Sequence, residues 1–366
     1  MKNSAKQQNP GYILIVTLMV ISLCVALISY VFTNSSVFAP YMNSTIAREK
    51  AKLLAQSGIQ LAIAQLAQEI DLKKNQGAQP QTAASPMQAQ QSPDDQAAKE
   101  YLERIVPTIN RWQVFDLKED VDGIDGQIKF AITAEDGKID INQWYDFKNH
   151  SFKGDDAQKK ISKALFVEIF KRVGKQELFD EFEKFLKARQ YRLDDVTELL
   201  QIKGFEAFKS IVYYQPPAQE KKAEQEKSKV YLTDLFTVWS GKLTLDPWVF
   251  SDSISAILGL KQAESNDSQA RKKTMATILK NYKKTLQFPA DWKTFFEPLY
   301  QKELASLPKG IESIFSTTFE PKLFSILSHA KVGDITQRML AIVESNKEVK
   351  ENVVTFKITI KRIFWL

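Results

Sequence analysis

The chain has 366 residues, 44% hydrophobic and 11% aromatic, with 50 basic against 44 acidic side chains for a net charge of +6. That length and aromatic content exclude a disordered tail and allow a sizeable core. The only cysteine is Cys24, so no disulfide can form within one copy and a cysteine-based metal site is excluded.

Tyr12 to Thr33 carry no charge, and their only hydroxyls besides Tyr12 and Tyr30 are Thr17, Ser22, Ser29 and Thr33. A helix of this length spans about 33 Å, enough to cross a hydrocarbon core. A secretion signal has a shorter apolar run. The best cleavage triplet, Val37-Phe38-Ala39, is spoiled by Pro40, so removal as a signal is not expected. Lys2 and Lys6 precede the span and residues 34–47 are uncharged. The amino end is therefore expected inside and the bulk outside. A break is predicted from Asn34 to Pro40, because proline has no N–H to give a helix. Ile46, Leu53, Leu54, Ile59, Ile63, Leu66 and Ile70 then recur at helical steps, predicting an amphipathic helix whose stripe needs a cover.

Residues 75–98 are rich in Gln, Ala, Ser and Pro and predict a disordered linker; 215–229 has the same character. RWQVFDLK (111–118) and GQIKFAITA (126–134) alternate as half-buried strands do, and Glu135-Asp136-Gly137 predicts a hairpin turn. From Asp155 the period is helical through ISKALFVEIFKRVG, QELFDEFEKFLKARQ and LDDVTELLQIKGFEAF, with Asp195 and Glu198 placed for a capping box. GKIDINQW (137–144) is echoed by GKLTLDPW (241–248), which predicts two related strand-to-helix junctions feeding a helical insertion. Further helices are expected in SDSISAILGL, RKKTMATILKNYKKTL and WKTFFEPLYQKELASL, followed by strands in LFSILSHAKVGDITQRMLAIVE and VVTFKITIKRI.

No catalytic set is found. His150 and His329 lie far apart, and there is no HExxH, GxSxG or phosphate loop, so no enzymatic activity is expected. The acidic stretch DLKEDVDGIDG (116–126) fits an EF-hand at Asp120 and Asp122 only. Ile124 fills the fifth place and Asp125 stands where glycine is required, which predicts a solvated loop. VTELLQIKGF (196–205) has the look of a helix-hairpin-helix turn, but Glu198 and Glu206 flank it, and a packing role is favoured over phosphate binding.

A membrane helix continued by a packed helix behind a short basic leader resembles the plan of type IV pilins and pseudopilins. Pro10-Gly11 before Tyr12 resembles a prepilin peptidase site, with cleavage after Gly11 and methylation of the new first residue, Tyr12. Most pilins carry Glu at the fifth mature place, here Val16; its loss and the chain length resemble the minor pseudopilin K family of type II secretion systems. KAKLLAQSGIQLAIAQL (50–66), EDGKIDINQW (135–144), FTVWSGKLTLDPWVFSDSISAILGL (236–260) and the two closing strands are similar to that family's segments in the same order.

The resemblance implies an α+β fold, with a long helix packed on a small antiparallel sheet and a large inserted helical domain. Its expected parts are a leader (1–11), a membrane helix (12–33), the periplasmic part of the helix (41–72), the linker (75–98), the first part of the pseudopilin domain (99–142), the insertion (143–320) and the terminal strands (321–366). It implies a non-enzymatic subunit at a pseudopilus tip that starts or caps the filament for protein export, in the inner membrane with its bulk in the periplasm. Implied partners are the other minor pseudopilins, the major pseudopilin and the prepilin peptidase, and bound calcium is implied without ligands that can be numbered here. Two alternatives are a membrane-anchored DNA-uptake protein and a minor pilin of a type IV pilus.

Overall fold

The structure is a computed structural model and describes residues 10–67, 70–71, 100–101, 103–172, 178–215, 230–260, 292–316, 321–350 and 353–366. The predicted linker at 75–98, the predicted linker at 215–229 apart from Gln215, the helix predicted in RKKTMATILKNYKKTL and the basic leader before Pro10 lie outside these residues.

The chain opens with one helix, α1 (Pro10–Leu66), of 57 residues. The break predicted over Asn34–Pro40 does not divide it, since Pro40 sits inside the helix. A proline there costs one backbone hydrogen bond, and the long helical runs on both sides carry the chain through. The helix ends at Leu66, and Ile70 belongs to a two-residue strand, β1 (Ile70–Asp71).

A six-stranded antiparallel sheet follows, in the order β1-β10-β9-β8-β3-β2. It is built from β2 (Trp112–Leu117), β3 (Gly126–Ala134), β8 (Leu323–Val332), β9 (Ile335–Lys350) and β10 (Val353–Trp365), together with β1. Between β2 and β3 the acidic stretch forms a single turn, α2 (Glu119–Asp122), closed by Gly123 at φ 71°. The predicted strands at 112–117, 126–134 and the carboxyl end are all present. Alternation explains their two faces. Ile128, Phe130, Ile132, Ile326 and Ser328 turn toward α1, while Thr133, Ser325, Leu327, Leu340 and Ile342 turn toward the inserted segment.

Glu135–Gly137 is a turn of 3-10 helix, not the predicted hairpin. The chain does not fold back on β3. Instead β4 (Ile139–Asp140) pairs in parallel with β7 (Phe236–Thr237), nearly a hundred residues away. Between them run α3 (Ile141–Trp144), the small hairpin of β5 (Tyr145–Asp146) and β6 (Ser151–Phe152), and the helices α4 (Asp156–Arg172) and α5 (Leu178–Ala188). The third predicted helix is two 3-10 pieces, Val196–Gln201 and Phe205–Phe208, parted by Gly204 at φ 98°. That conformation stops an α-helix and suits glycine. The predicted capping box is present: Asp195 accepts from Thr197 N, and Glu198 accepts from Asp195 N. Phe166, Phe170, Phe182, Phe205 and Phe236 fill the centre of this inserted part with stacked and tilted rings. The short helix α6 (Leu232–Leu235) precedes β7, and α7 (Asp252–Ile257) and α8 (Trp292–Tyr300) come before the return to β8. The fold is α+β, as the sequence predicts.

Candidate functional site: a bare apolar helix and its anchorage to the head

The first part of α1 is left bare by the described residues. Leu14–Thr33 has a mean hydropathy of 2.7, is 0% buried and is long and apolar enough to cross a membrane. Its hydroxyls satisfy themselves locally: Ser22 donates to the carbonyl of Met19 at 2.9 Å and Thr33 to that of Ser29 at 2.8 Å. Such bonds let a hydroxyl sit in an apolar medium without an unpaired donor. Cys24 is a free thiol on this exposed surface.

Gly11 and Tyr12 lie in the first turns of α1. Val16 is exposed on the bare segment and puts an apolar side chain there. The structure thus sets all three residues on one continuous helix.

The last four turns of α1 have a different surface. Ala51, Ala55, Ile59, Ala62 and Leu66 are buried against the sheet, and Leu54 and Ile63 pack at its margin. The predicted stripe is only partly the covered face, since Ile46 and Leu53 stay exposed. The signal that reasoning from large apolar residues missed is the run of small ones. Alanine at 51, 55 and 62 and glycine at 58 let the helix axis approach the strands closely. A Cβ on Gly58 would lie 2.3 Å from Ser328 Oγ and 2.9 Å from Ile128 Cγ2. Two polar clasps fix the register: Gln65 and Gln113 exchange amide hydrogen bonds at 2.6 and 2.8 Å, and Arg104 Nη2 donates to the carbonyl of Leu66 at 3.2 Å. Tyr101 stacks on Phe356 with centroids 3.9 Å apart and closes the far end.

Beyond the sheet, the echoed motifs meet. Asp140 caps α3 through Gln143 N at 3.2 Å and also accepts from Gly241 N at 2.8 Å and Ser240 Oγ at 3.1 Å. Asp246 N donates to the carbonyl of Asp136 at 2.8 Å, and Lys242 Nζ lies 3.2 Å from Asp136 Oδ2. Gly137 admits this contact, because a Cβ there would fall 1.9 Å from the carbonyl oxygen of Val249. The second motif contributes a single bridge, Leu245 with Phe315, in place of the predicted strand. Next to it Lys138 forms a buried ion pair with Glu135 at 2.6 Å and donates to Ser325 Oγ on β8 at 2.9 Å, while Thr237 donates to the other oxygen of Glu135. These bonds join the insertion to the sheet.

Burial dominates the electrostatics of this joint. It pushes Asp140 up to about 6 against the pull of its hydrogen bonds, and Asp246 up to about 7 despite Lys242 nearby. Asp136 and Asp234 are raised for the same reason. Sequence reasoning saw Asp136, Asp140 and Asp246 as motif letters and did not single out Asp234; their burial follows from a pairing of distant segments that no local pattern announces.

No family model matches the chain, and no curated protein matches its sequence. Among solved structures it is similar to a chain in the crystal structure of the GspK-GspI-GspJ complex of the type 2 secretion system of enterotoxigenic Escherichia coli. The match covers 74% of this chain and 94% of that one, at 11% identity and a TM-score of 0.37. No residue role in this chain is taken from that complex.

The other sequence candidates occupy ordinary structural places. In the acidic stretch, Asp122 Oδ2 accepts from Lys118 N and Asp125 Oδ1 from Glu119 N, both at 2.9 Å, so these carboxylates cap their own turn. In VTELLQIKGF, Gly204 presses on Leu178 and Phe205 is buried, so the turn faces the core. His150 is exposed at φ 50° in the turn after β5, and His329 is buried on β8.

Proposed function

We propose that the chain is a non-enzymatic minor pseudopilin that starts or caps the pseudopilus of a type II secretion system. The observation that carries this reading is α1 itself. One helix presents a bare apolar segment at its amino end and is buried under the sheet of a large head at the other. A free apolar rod of this kind serves either a membrane or the core of a bundle of like helices, and in this reading the head blocks the addition of a further subunit above it.

In this proposal a prepilin peptidase cuts after Gly11, Tyr12 becomes the methylated first residue, and Leu14–Thr33 leaves the inner membrane for the filament core. The head stays in the periplasm and meets the other minor pseudopilins and the major pseudopilin. Val16 suits a subunit with no neighbour above it, because a carboxylate in its place would be an unpaired charge in an apolar core, costing on the order of 3 kcal/mol. Calcium belongs to the resemblance alone. Among the described residues no three His, Cys, Asp or Glu side chains are grouped to hold a metal ion, and no ligand is named.

Mass spectrometry of the protein recovered from its native membrane tests the proposal. A chain beginning at N-methylated Tyr12 is expected, whereas an intact Met1 overturns the assembly role. In a secretion assay, Val16→Glu is expected to impair tip formation rather than processing.

A further inference from the structure

The face of the sheet turned toward the insertion carries an unusual row. Lys129 on β3 lies directly opposite His329 on β8, and His329 lies directly opposite Arg338 on β9. Three cationic residue types therefore sit side by side across three neighbouring central strands, spanning about 10 Å. With His329 between them, Lys129 and Arg338 are like charges two strands apart on one face. Lysines are often placed on edge strands to block aggregation, but β3, β8 and β9 are all interior, so that purpose does not account for them.

Among the described residues none forms an ion pair with Lys129, Arg338 or the neighbouring Lys331. Asp116, the acid in the next row of this face, is already engaged by Gln127 Nε2. A second observation points the same way. His329 is 7% exposed, and its Nε2 has no hydrogen-bond partner among the described residues; the same holds for Nε1 of Trp112, whose ring meets the histidine edge-on at 4.9 Å. Burial and the neighbouring Arg338 and Lys129 push the histidine down to about 4, so it is neutral and able to share a proton with an acceptor. On β2, Val114 stands opposite Lys129 and is half exposed.

We infer that the row Lys129–His329–Arg338 is a docking site for an acidic, extended segment of a partner protein. Its carboxylates would lie between the lysine and the arginine, and an apolar neighbour on the segment would rest on Val114. The length of the row and its apolar flank favour a peptide over a small free anion. Arginine offers a carboxylate two parallel donors and lysine a point charge, which fits acidic side chains. The inference concerns the head alone and does not depend on the filament reading.

The test uses the full chain in detergent micelles with a fluorescent hexaglutamate peptide, followed by anisotropy. Binding that weakens with salt is expected. Arg338→Glu and Lys129→Glu should each weaken it about tenfold or more, equivalent to about 1.4 kcal/mol. Lys309→Glu, on a remote exposed turn, should leave it unchanged. In a parallel titration the ring resonances of His329 should move while those of His150, the only other histidine, stay fixed. The reversals relieve repulsion, so thermal unfolding should show no loss of stability; if either fails to fold, Arg338→Gln and Lys129→Gln take its place. No binding, equal binding by the variants, or displacement by inorganic phosphate at the peptide's own concentration would each overturn the proposal.

Discussion

Gly58 on the long helix and Ser328 on β8 are in such close contact that a methyl group on the glycine would lie 2.3 Å from the serine Oγ. The glycine sets how near the helix can come to the sheet, and the polar clasps at Gln65 and Arg104 are placed for that separation. Gly58→Val should therefore wedge the helix away, destabilising the head by about 2 kcal/mol. Ser328→Ala in the same chain should recover part of the loss, as read from thermal unfolding in micelles.

The Lys138–Glu135 pair is 3% exposed on both sides and also holds β8 through Ser325. Removing one partner leaves a buried charge behind. Lys138→Met is expected to lower stability by about 3 kcal/mol, and Glu135→Gln with Lys138→Met to lower it less. A double-mutant cycle by chemical denaturation measures the difference.

Asp246 should make the head more stable in mild acid. Its carboxyl is raised from 3.8 to about 7 in the folded chain, so folding takes up a proton between those values. Stability is fullest below about 4 and falls as pH rises to about 7. Asp140, raised to about 6, adds to this in the lower part of the range. Asp246→Asn retains the oxygen that accepts from Trp248 N and removes the charge. It should match the parent at pH 4 and exceed it at pH 8, with unfolding midpoints at the two pH values as the measurement.

Asp195 accepts from Thr197 N and closes a box with Glu198. Asp195→Ala should cost about 1 kcal/mol. Limited proteolysis should then cut first near the turn at 196–208, and an unchanged pattern would remove the cap from the account.

How much of this was legible depends on the range of the interaction concerned. Alternation within a few residues marked β2 and β3, while the closing strands were marked by the family resemblance. The Asp195–Glu198 box spans three residues and was read for the same reason. Glu135–Gly137 misled because Asp-Gly is a hairpin signal locally, while β4 is claimed by β7 nearly a hundred residues on. Pro40 misled in the opposite sense: a local breaker was overruled by long helical runs on both sides. At the candidate site, the apolar span was visible from composition, whereas Val16 was singled out by the family resemblance alone. The covered face of α1 was not, because alanine and glycine carry little hydrophobic signal and mark close approach only once the opposing strand is known.

Between Thr33 and Ala51 the long helix rises about 27 Å, and its described side chains there are exposed except for the half-buried Ala47. It acts as a stalk, so the head stands clear of whatever encloses the apolar end. Any neighbour that grips both must be at least that tall, and lengthening the stalk by one residue would swing the head about 100° around the axis as well as lifting it.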